Sequence, residues 1–395
     1  MRRRTFLAGL GAMSLLPRLA RAEEGGPYLV LYWAAGGWDQ SFVFDPHFES
    51  GSIDRDPDAQ EASSGALSWA SNRERPTVDS FFGEHAEHAA IVNGIAVGSI
   101  SHAKCTQLIL TGGRTEDLAD FPTRLAAQVA PELAMPAVLL SGPRFPGTDG
   151  GSAVAFGADL YGILDGSLPA GAGYNPDQEA VLQAWLAREA ERVDLGAHSD
   201  AYVEGLARYT QLGEDIGSLE LAEEPLFRDE VNTGVAALSG GLARAMVVKG
   251  RNPVLFSWDT HTSNHHQQGP NFEQAFDELA YILDRLDQTP APDGGMLSEH
   301  TLVVAMSEMG RTPVLNSSDG KDHWPYASAL FVGRGVNAGV FGATDQALAG
   351  QPIDLASGAA SSAGEILTPT HLIGGLEQLF GLEPSTTPFT APFSS

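Results

Sequence analysis

Residues 301–306 form an uninterrupted apolar run, TLVVAM, which together with the polar sequence after it most constrains the fold. A short run of this kind, rich in β-branched residues, predicts a strand that is buried on both faces, as in a parallel sheet. The run leads into Glu308 and Arg311, and a loop rich in Ser, Asp and Gly then leads to Asp322 and His323. Open α/β sheets bind ligands beyond the carboxyl ends of their strands, so this segment predicts a functional site.

Similar apolar runs recur along the chain and alternate with helical patterns. We predict strands at 27–35, 89–97, 137–141, 253–258, 301–306 and 327–332, with a short strand at 340–341. Helices are predicted at 77–88, 103–110, 121–130, 177–193, 201–212, 230–249, 272–286 and 370–380. This alternation is typical of an α/β protein with a doubly wound, mostly parallel sheet and helices on both faces.

The stretch 142–250 interrupts this alternation. It begins with a part rich in Gly, Pro and Ala and continues with amphipathic helices. We interpret it as a helical insertion within a single α/β domain that spans residues 23–395. A separate cap subdomain is the alternative interpretation of the same stretch.

The N-terminal 22 residues have the composition of an export signal. A basic start precedes a short apolar core and an Ala-Arg-Ala ending, and the core is too short to span a bilayer. Arg3-Arg4-Thr5-Phe6-Leu7 matches the twin-arginine pattern, which predicts transfer by the Tat translocon in the folded state. A Sec signal with a chance run of arginines is the alternative. Either signal predicts a periplasmic or secreted protein without a stable membrane anchor.

The charge balance limits the partners that the protein can have. The chain carries 50 acidic residues against 23 Lys and Arg, a formal net charge of −27. Such a surface repels nucleic acid and anionic membranes and attracts cations. Cys105 is the single cysteine, which excludes an intramolecular disulfide bond.

Polar side chains follow four of the predicted strands. They are carboxylates and imidazoles without thiolates, a mixture that suits a divalent metal site of one or two ions of Zn, Mn, Mg or Ca, with the histidines favouring Zn or Mn. The residues are Asp39, Ser101, His102, Asp259, His261, Glu308, Asp322 and His323.

Four short motifs in this order carry a resemblance to a known family. They are GGWD at 36–39, WDTH at 258–261, SEMGRTP at 307–313 and DHW at 322–324, all after the twin-arginine pattern. The chain resembles the exported domain-of-unknown-function family 1501 of the alkaline-phosphatase/sulfatase superfamily, over residues 28–382 and most weakly over 142–250. The resemblance implies an alkaline-phosphatase-like fold with a metal site at the strand ends.

The resemblance also implies roles for individual residues. Met309 stands where the superfamily has a ligand histidine, and Glu308 keeps the neighbouring carboxylate. The implied metal ligands are Asp39, Asp259, His261, Glu308, Asp322 and His323.

The position of the nucleophile departs from the superfamily pattern. Counting ten residues back from Gly112 gives His102, and Ser101 lies one residue outside that register. Either Ser101 attacks after a small shift, or His102 is itself a ligand or nucleophile, or no covalent chemistry occurs. Arg311 is predicted either to grip an anionic substrate or to form a structural pair with a carboxylate.

These expectations define two functions. The first is a metal-dependent hydrolase of phosphate or sulfate esters that acts on a small anionic or sugar-ester substrate. The alternative is a non-catalytic exported metal-binding or assembly protein with a degenerate site. A serine esterase of the α/β-hydrolase type is disfavoured because the chain has no Gly-x-Ser-x-Gly elbow.

Overall fold

A central eight-stranded sheet organises the computed structural model, which describes residues 27–133, 135–145, 147, 153–155, 219 and 225–394. Its strands are β1 (Tyr28–Trp33), β4 (Ala89–Ala96), β5 (Ala137–Leu139), β6 (Ala153–Ala155), β7 (Ala245–Lys249), β8 (Thr301–Met306), β11 (Tyr326–Gly333) and β12 (Gly339–Phe341). Three two-stranded sheets accompany it: β2 (Gln60–Ser64) with β3 (Leu67–Ser71), β9 (Gly310–Arg311) with β10 (His323–Trp324), and β13 (Pro352–Ile353) with β14 (Glu365–Ile366).

The order of the strands in the central sheet is β12-β4-β11-β8-β1-β7-β5-β6. All neighbouring pairs are parallel except those of β11, which is antiparallel to both β4 and β8. β1 lies near the centre, with β8 and β7 on its two sides, and all six of its residues are buried. The predicted mostly parallel α/β sheet is confirmed.

Six α-helices are present in the described part of the chain and cover both faces of the sheet. They are α1 (Pro76–His85), α2 (His102–Thr111), α3 (Phe121–Val129), α4 (Phe227–Ser239), α5 (Asn264–Asp287) and α6 (Pro369–Leu379). Helix α5 packs against both α1 and α4, and Tyr32 of β1 contacts Phe227 of α4 and donates a hydrogen bond to Glu278 of α5. Helix α3 packs on β1, β5 and β7, and is joined to α6 by an ion pair between Arg124 and Glu377.

Two predicted elements are wrong. Residues 253–258 form a turn instead of a strand, in which Val254 and Leu255 are 87% and 95% exposed. Pro253 at its start has no N–H to donate to a sheet. The helix predicted at 230–249 ends at Ser239 as α4, and Gly240-Gly241 then leads into strand β7.

Strand β7 also changes the interpretation of the stretch 142–250. It lies between β1 and β5 in the central sheet, so the carboxyl-terminal end of that stretch belongs to the sheet and not to an insertion. The helices predicted at 177–193 and 201–212, and the signal at 1–22, lie outside the described residues. No helix of the described chain combines the length and the apolar composition needed to cross a membrane.

Candidate metal centre

The candidate site lies at the carboxyl ends of the central strands. β1 continues into Gly36 and Gly37, and β8 continues into Glu308. Gly36 has a φ of +128°, and a Cβ atom there would lie 2.9 Å from the backbone nitrogen of Asp259. Glycine is therefore required for the close approach that brings Asp259 against the end of β1.

Three imidazoles surround the carboxylate of Asp259. The Nε2 atoms of His261 and His323 each lie 3.2 Å from Oδ1 of Asp259, and Nε2 of His102 lies 3.4 Å from its Oδ2. The two Nε2 atoms of His261 and His323 are only 2.9 Å apart. We call these four residues, Asp259, His102, His261 and His323, the histidine cluster.

The other nitrogen of each ring contacts a hydrogen-bond acceptor. Nδ1 of His323 lies 2.6 Å from the carbonyl oxygen of Ile100, Nδ1 of His102 lies 2.7 Å from Glu308, and Nδ1 of His261 lies 2.8 Å from Asp322. A carbonyl oxygen and ionised carboxylates only accept hydrogen bonds, so in each ring the Nδ1–H donates. In the neutral rings the Nε2 lone pairs then point into the histidine cluster.

This arrangement of lone pairs fits a bound cation. Nε2 of His102 is buried and has no hydrogen-bond partner among the described residues. The close approach of His261 and His323 would set one lone pair against another unless a proton or a cation lies between them. Three imidazole nitrogens and one carboxylate oxygen form a donor set that suits Zn²⁺ and related ions. Of the cluster residues, His102, Asp259 and His323 have ligand atoms that all lie within 4.8 Å of one another.

Hydrogen bonds and neighbouring charges shift the pKa values of His102, Asp259 and Asp322. The hydrogen bond to Glu308 raises the pKa of His102 against the opposing effect of burial. Burial tends to raise the pKa of Asp259, but the hydrogen bond and charge of Arg311 hold it below its usual range. The hydrogen bond from His261 lowers the pKa of Asp322, so both carboxylates favour the ionised form.

Arg311 is completely buried and all of its nitrogens are engaged. It donates to the carbonyl oxygens of Gly36, Gly37 and Lys321, and it donates to Oδ1 of Asp259 at 2.7 Å. The structure therefore places Arg311 behind Asp259, where it orients the carboxylate. This is the geometry of the structural pair that the sequence left open as the alternative to an anion grip.

Asp39 lies apart from the histidine cluster. Its Oδ2 accepts from Lys321 and from Asn264, each at 2.8 Å, and its Oδ1 accepts from the backbone nitrogen and hydroxyl of Ser41. These four contacts occupy the carboxylate on both oxygens. Asp39 is thus a predicted ligand that the structure does not bring to the other ligands.

The remaining predicted residues border the histidine cluster. Glu308 is buried, and besides contacting His102 it accepts hydrogen bonds from the backbone nitrogen of Gly36 and the hydroxyl of Ser307. Asp322 is exposed and contacts His261. Ser101 is exposed at the start of α2, directly before His102. Sequence reasoning missed Lys321, because a lysine in a loop rich in Ser, Asp and Gly resembles an ordinary surface residue.

A cleft of about 630 Å³ opens beside the histidine cluster. It lies over the carboxyl ends of β1, β7 and β5 and reaches the cluster at His102 and Asp259. The cleft is lined in the described part of the chain by Trp33, Ala35, Gly36, His102, Ala103, Thr106, Gly142, Pro143, Lys249, Ser257, Asp259 and Glu308. A metal bound to the histidine cluster would therefore be accessible to a small molecule.

Comparison with known families gives one match. Residues 228–356 match the model of a protein family of unknown function, DUF1501. The matched part includes Asp259, His261, Glu308 and His323, and it excludes Asp39 and His102. No curated protein matches the chain.

The solved structures to which the chain is similar include a protein of the alkaline phosphatase superfamily and several sulfatases. A Vibrio parahaemolyticus protein of the alkaline phosphatase superfamily is 9% identical with a TM-score of 0.41, over 94% of this chain and 71% of that one. The lipoteichoic acid synthase LtaP of Listeria monocytogenes is 9% identical with a TM-score of 0.41, over 93% and 74%. A protein of glycosaminoglycan metabolism in Bacteroides thetaiotaomicron is 12% identical with a TM-score of 0.42, over 93% and 74%.

Proposed function

We propose that this protein is an exported, metal-dependent hydrolase of phosphate or sulfate esters. The observation that carries the proposal is the convergence of three imidazole Nε2 atoms on Asp259, with the Nδ1 atom of each ring held by an acceptor. Such contacts to the outer nitrogen fix the ring orientation of metal-binding histidines. The sequence resemblance to the alkaline-phosphatase/sulfatase superfamily supports the ester class.

The histidine cluster would hold one divalent ion, Zn²⁺ being the best match to its donors. A bound ion would act as a Lewis acid toward a phosphoryl or sulfuryl oxygen and would acidify a water molecule or hydroxyl group nearby. Within the chain, Arg311 orients Asp259, and Glu308 orients His102. Asp39 is already neutralised by Lys321, so we expect a single ion per chain.

Export is part of the same proposal and rests on the sequence of residues 1–22. The twin-arginine pattern would send the folded protein through the Tat translocon to the periplasm or the medium. Export in the folded state is compatible with a metal that is bound before transfer. The substrate would be a small anionic or sugar ester that enters the cleft.

A specific observation favours the non-catalytic alternative. Arg311 is fully used by internal contacts, and the exposed Ser101 does not line the cleft, so neither residue provides an obvious catalytic group. The histidine cluster would then hold a metal with a structural or binding role. An exported metal-binding or assembly protein would bind the metal through the same residues but would not hydrolyse esters.

The decisive experiment combines metal content with ester hydrolysis. The purified full-length chain is loaded with Zn²⁺, its metal is counted by elemental analysis, and it is assayed with a phosphomonoester, a phosphodiester and a sulfate ester. We expect one ion per chain and hydrolysis of at least one ester, with both lost in His261→Ala. The control His266→Ala changes an exposed histidine of α5 outside the histidine cluster and is expected to retain both.

Each other result has a definite meaning. One ion per chain without turnover of any ester would replace the hydrolase with the non-catalytic alternative. A chain that binds no divalent ion would overturn both. Hydrolysis that survives in His261→Ala would show that the histidine cluster is not the active site.

A further inference from the structure

Lys249 provides a positive charge in the cleft beside the histidine cluster. It is the last residue of β7, its register partner in β1 is Trp33, and β7 lies on the opposite side of β1 from β8. The side chain is exposed and lines the same cleft as His102 and Asp259. The cleft is therefore lined both by two residues of the histidine cluster and by a lysine.

The position of Lys249 is set by hydrogen bonds to its backbone. Its N–H donates to the hydroxyl oxygen of Ser141 at 2.9 Å, and that hydroxyl donates to Glu230 at 2.8 Å. Glu230 is in turn paired with Arg251 at 2.7 Å. The nearby acidic residue is thus already matched with a different cation.

The two acidic residues that line the cleft also already have partners. Asp259 accepts from Arg311 at 2.7 Å, and Glu308 accepts from His102 at 2.7 Å. Within the described part of the chain, Lys249 has no ion pair, although acids outnumber Lys and Arg by 50 to 23 in the whole sequence. A cation that faces a cleft without a partner is available to an anionic ligand.

The remaining walls of the cleft suit an organic group. Trp33, Ala35 and Pro143 give it apolar surface, and Ser257 adds a hydroxyl whose oxygen accepts from the backbone nitrogen of Asp259. Such surface lowers the local dielectric and strengthens the attraction between Lys249 and an anion. A ligand that bridges the histidine cluster and Lys249 would place its organic part against these walls.

We infer that Lys249 binds a second anionic group of the substrate, so that the preferred esters carry a carboxylate, phosphate or sulfate besides the group that is hydrolysed. The inference rests on the proposed function, because the reacting ester must lie at the histidine cluster. Lys249 is then a specificity-determining residue that contacts the leaving group. Its ammonium lies outside the histidine cluster, so its removal leaves the metal ligands in place.

The test compares matched anions that cannot be hydrolysed. Phenylphosphonate, 4-carboxyphenylphosphonate and 4-sulfophenylphosphonate are titrated by calorimetry into the full chain loaded with Zn²⁺. A charge-assisted contact in a partly apolar cleft predicts that the two doubly functional probes bind about 10- to 100-fold more tightly than phenylphosphonate. The carboxylate and sulfonate arms identify which second anion is preferred.

Variants at Lys249 assign the preference to this residue. Lys249→Ala is expected to abolish the preference while phenylphosphonate affinity stays within about twofold. Lys249→Arg is expected to restore most of it, because the charge is kept. Lys104→Ala is the matched control, since it removes a positive charge from α2 at a residue that does not line the cleft.

The outcomes separate this inference from the proposed function. Equal affinity of the wild type for all three probes, or an equal loss for all three in Lys249→Ala, would overturn the role of Lys249. A preference that depends on Lys249 in a chain that hydrolyses no ester would support the anion site and would remove the hydrolase. Turnover of esters without any preference for a second anion would support the hydrolase alone.

Discussion

The carboxylate of Asp39 and the ammonium of Lys321 lie 2.8 Å apart, and both side chains are completely excluded from solvent. Lys321 also links three segments through its backbone and side chain. Its carbonyl oxygen accepts from Arg311, its N–H donates to the carbonyl of Thr260, and its ammonium contacts Ser41. The buried pair therefore joins the end of β1 to the two loops that carry Asp259 and His323.

Breaking this pair from one side should be strongly destabilising. Lys321→Met leaves the carboxylate of Asp39 buried without its cation, so we expect the free energy of unfolding to fall by about 3–5 kcal/mol. Urea denaturation measures the change. Lys104→Met is the control and should lie within about 0.5 kcal/mol of the wild type. The double variant Asp39→Asn/Lys321→Met should recover part of the loss, and an unchanged stability of the single variant would contradict the assignment.

Asp322 should affect metal affinity more than stability. It is exposed and accepts the hydrogen bond from Nδ1 of His261, so Asp322→Asn removes the charge that makes the ring a better ligand. We expect Zn²⁺ affinity to fall by about 10- to 100-fold, measured by competition with a chelating dye. Asp319→Asn, at an exposed residue of the same loop, should leave the affinity unchanged. Equal affinities of the two variants would show that Asp322 does not support a ligand.

Gly36 should tolerate no side chain. A Cβ atom at this residue would lie 2.9 Å from the backbone nitrogen of Asp259 and 2.9 Å from Cβ of Trp258, at a φ of +128°. Gly36→Ala is expected to lower the free energy of unfolding by about 2–4 kcal/mol and to displace Asp259, with loss of Zn²⁺ binding. The control Gly65→Ala also has a positive φ, +59°, but no atom lies within 4 Å of its Cβ. It should cost only about 1 kcal/mol, and similar losses in the two variants would rule out the steric explanation.

The stability of the protein should fall as the pH rises above neutrality. The hydrogen bond to Asp45 raises the pKa of His47 from 6.5 to about 9 against the effect of burial, and Glu49 adds to the rise. A folded-state pKa above the unfolded value gives stability that is complete below about pH 6.5 and is lost as the pH passes through about 9.

Denaturation at two pH values tests this dependence. Between pH 6 and pH 10, the raised pKa of His47 should account for a loss of about 3 kcal/mol in the free energy of unfolding. Asp45→Asn should reduce that loss, because the charged acceptor at 3.1 Å is gone. A pH dependence that is identical in the variant would exclude His47 as its source.

The sequence was sufficient for elements in which apolar pattern and burial coincide. Residues 301–306 were predicted as a buried strand, and β8 has these bounds. The run at 253–258 has a similar composition, but Val254 and Leu255 are exposed in a turn and only Trp258 at its end is buried, so hydrophobicity alone cannot separate the two cases. The antiparallel direction of β11 could not be predicted either, because a strand buried on both faces has the same apolar pattern in either direction.

Part of the candidate site could be predicted because its polar residues follow apolar runs of the sequence. Asp259 and His261 follow the run at 253–258, although that run forms a turn, and Glu308 follows β8. The structure brings Asp259 and His261 together with His102 and His323. The pairing of Asp39 with Lys321 could not be predicted, since it depends on how a loop folds back over the end of β1. That tertiary contact determines that Asp39 pairs with the ammonium of Lys321, while Asp259 faces the histidines.

The reversed direction of β11 has a consequence for how this site can evolve. Because β11 is antiparallel to β8, the connection 307–325 leaves and re-enters the sheet at the same edge. Glu308, Arg311, Lys321, Asp322 and His323 therefore all belong to one short stretch of chain. A genetic exchange with a breakpoint inside that stretch would separate residues that form the histidine cluster from residues that support it. We expect related sequences to inherit this connection as a single module, while the surface loops around it diverge freely.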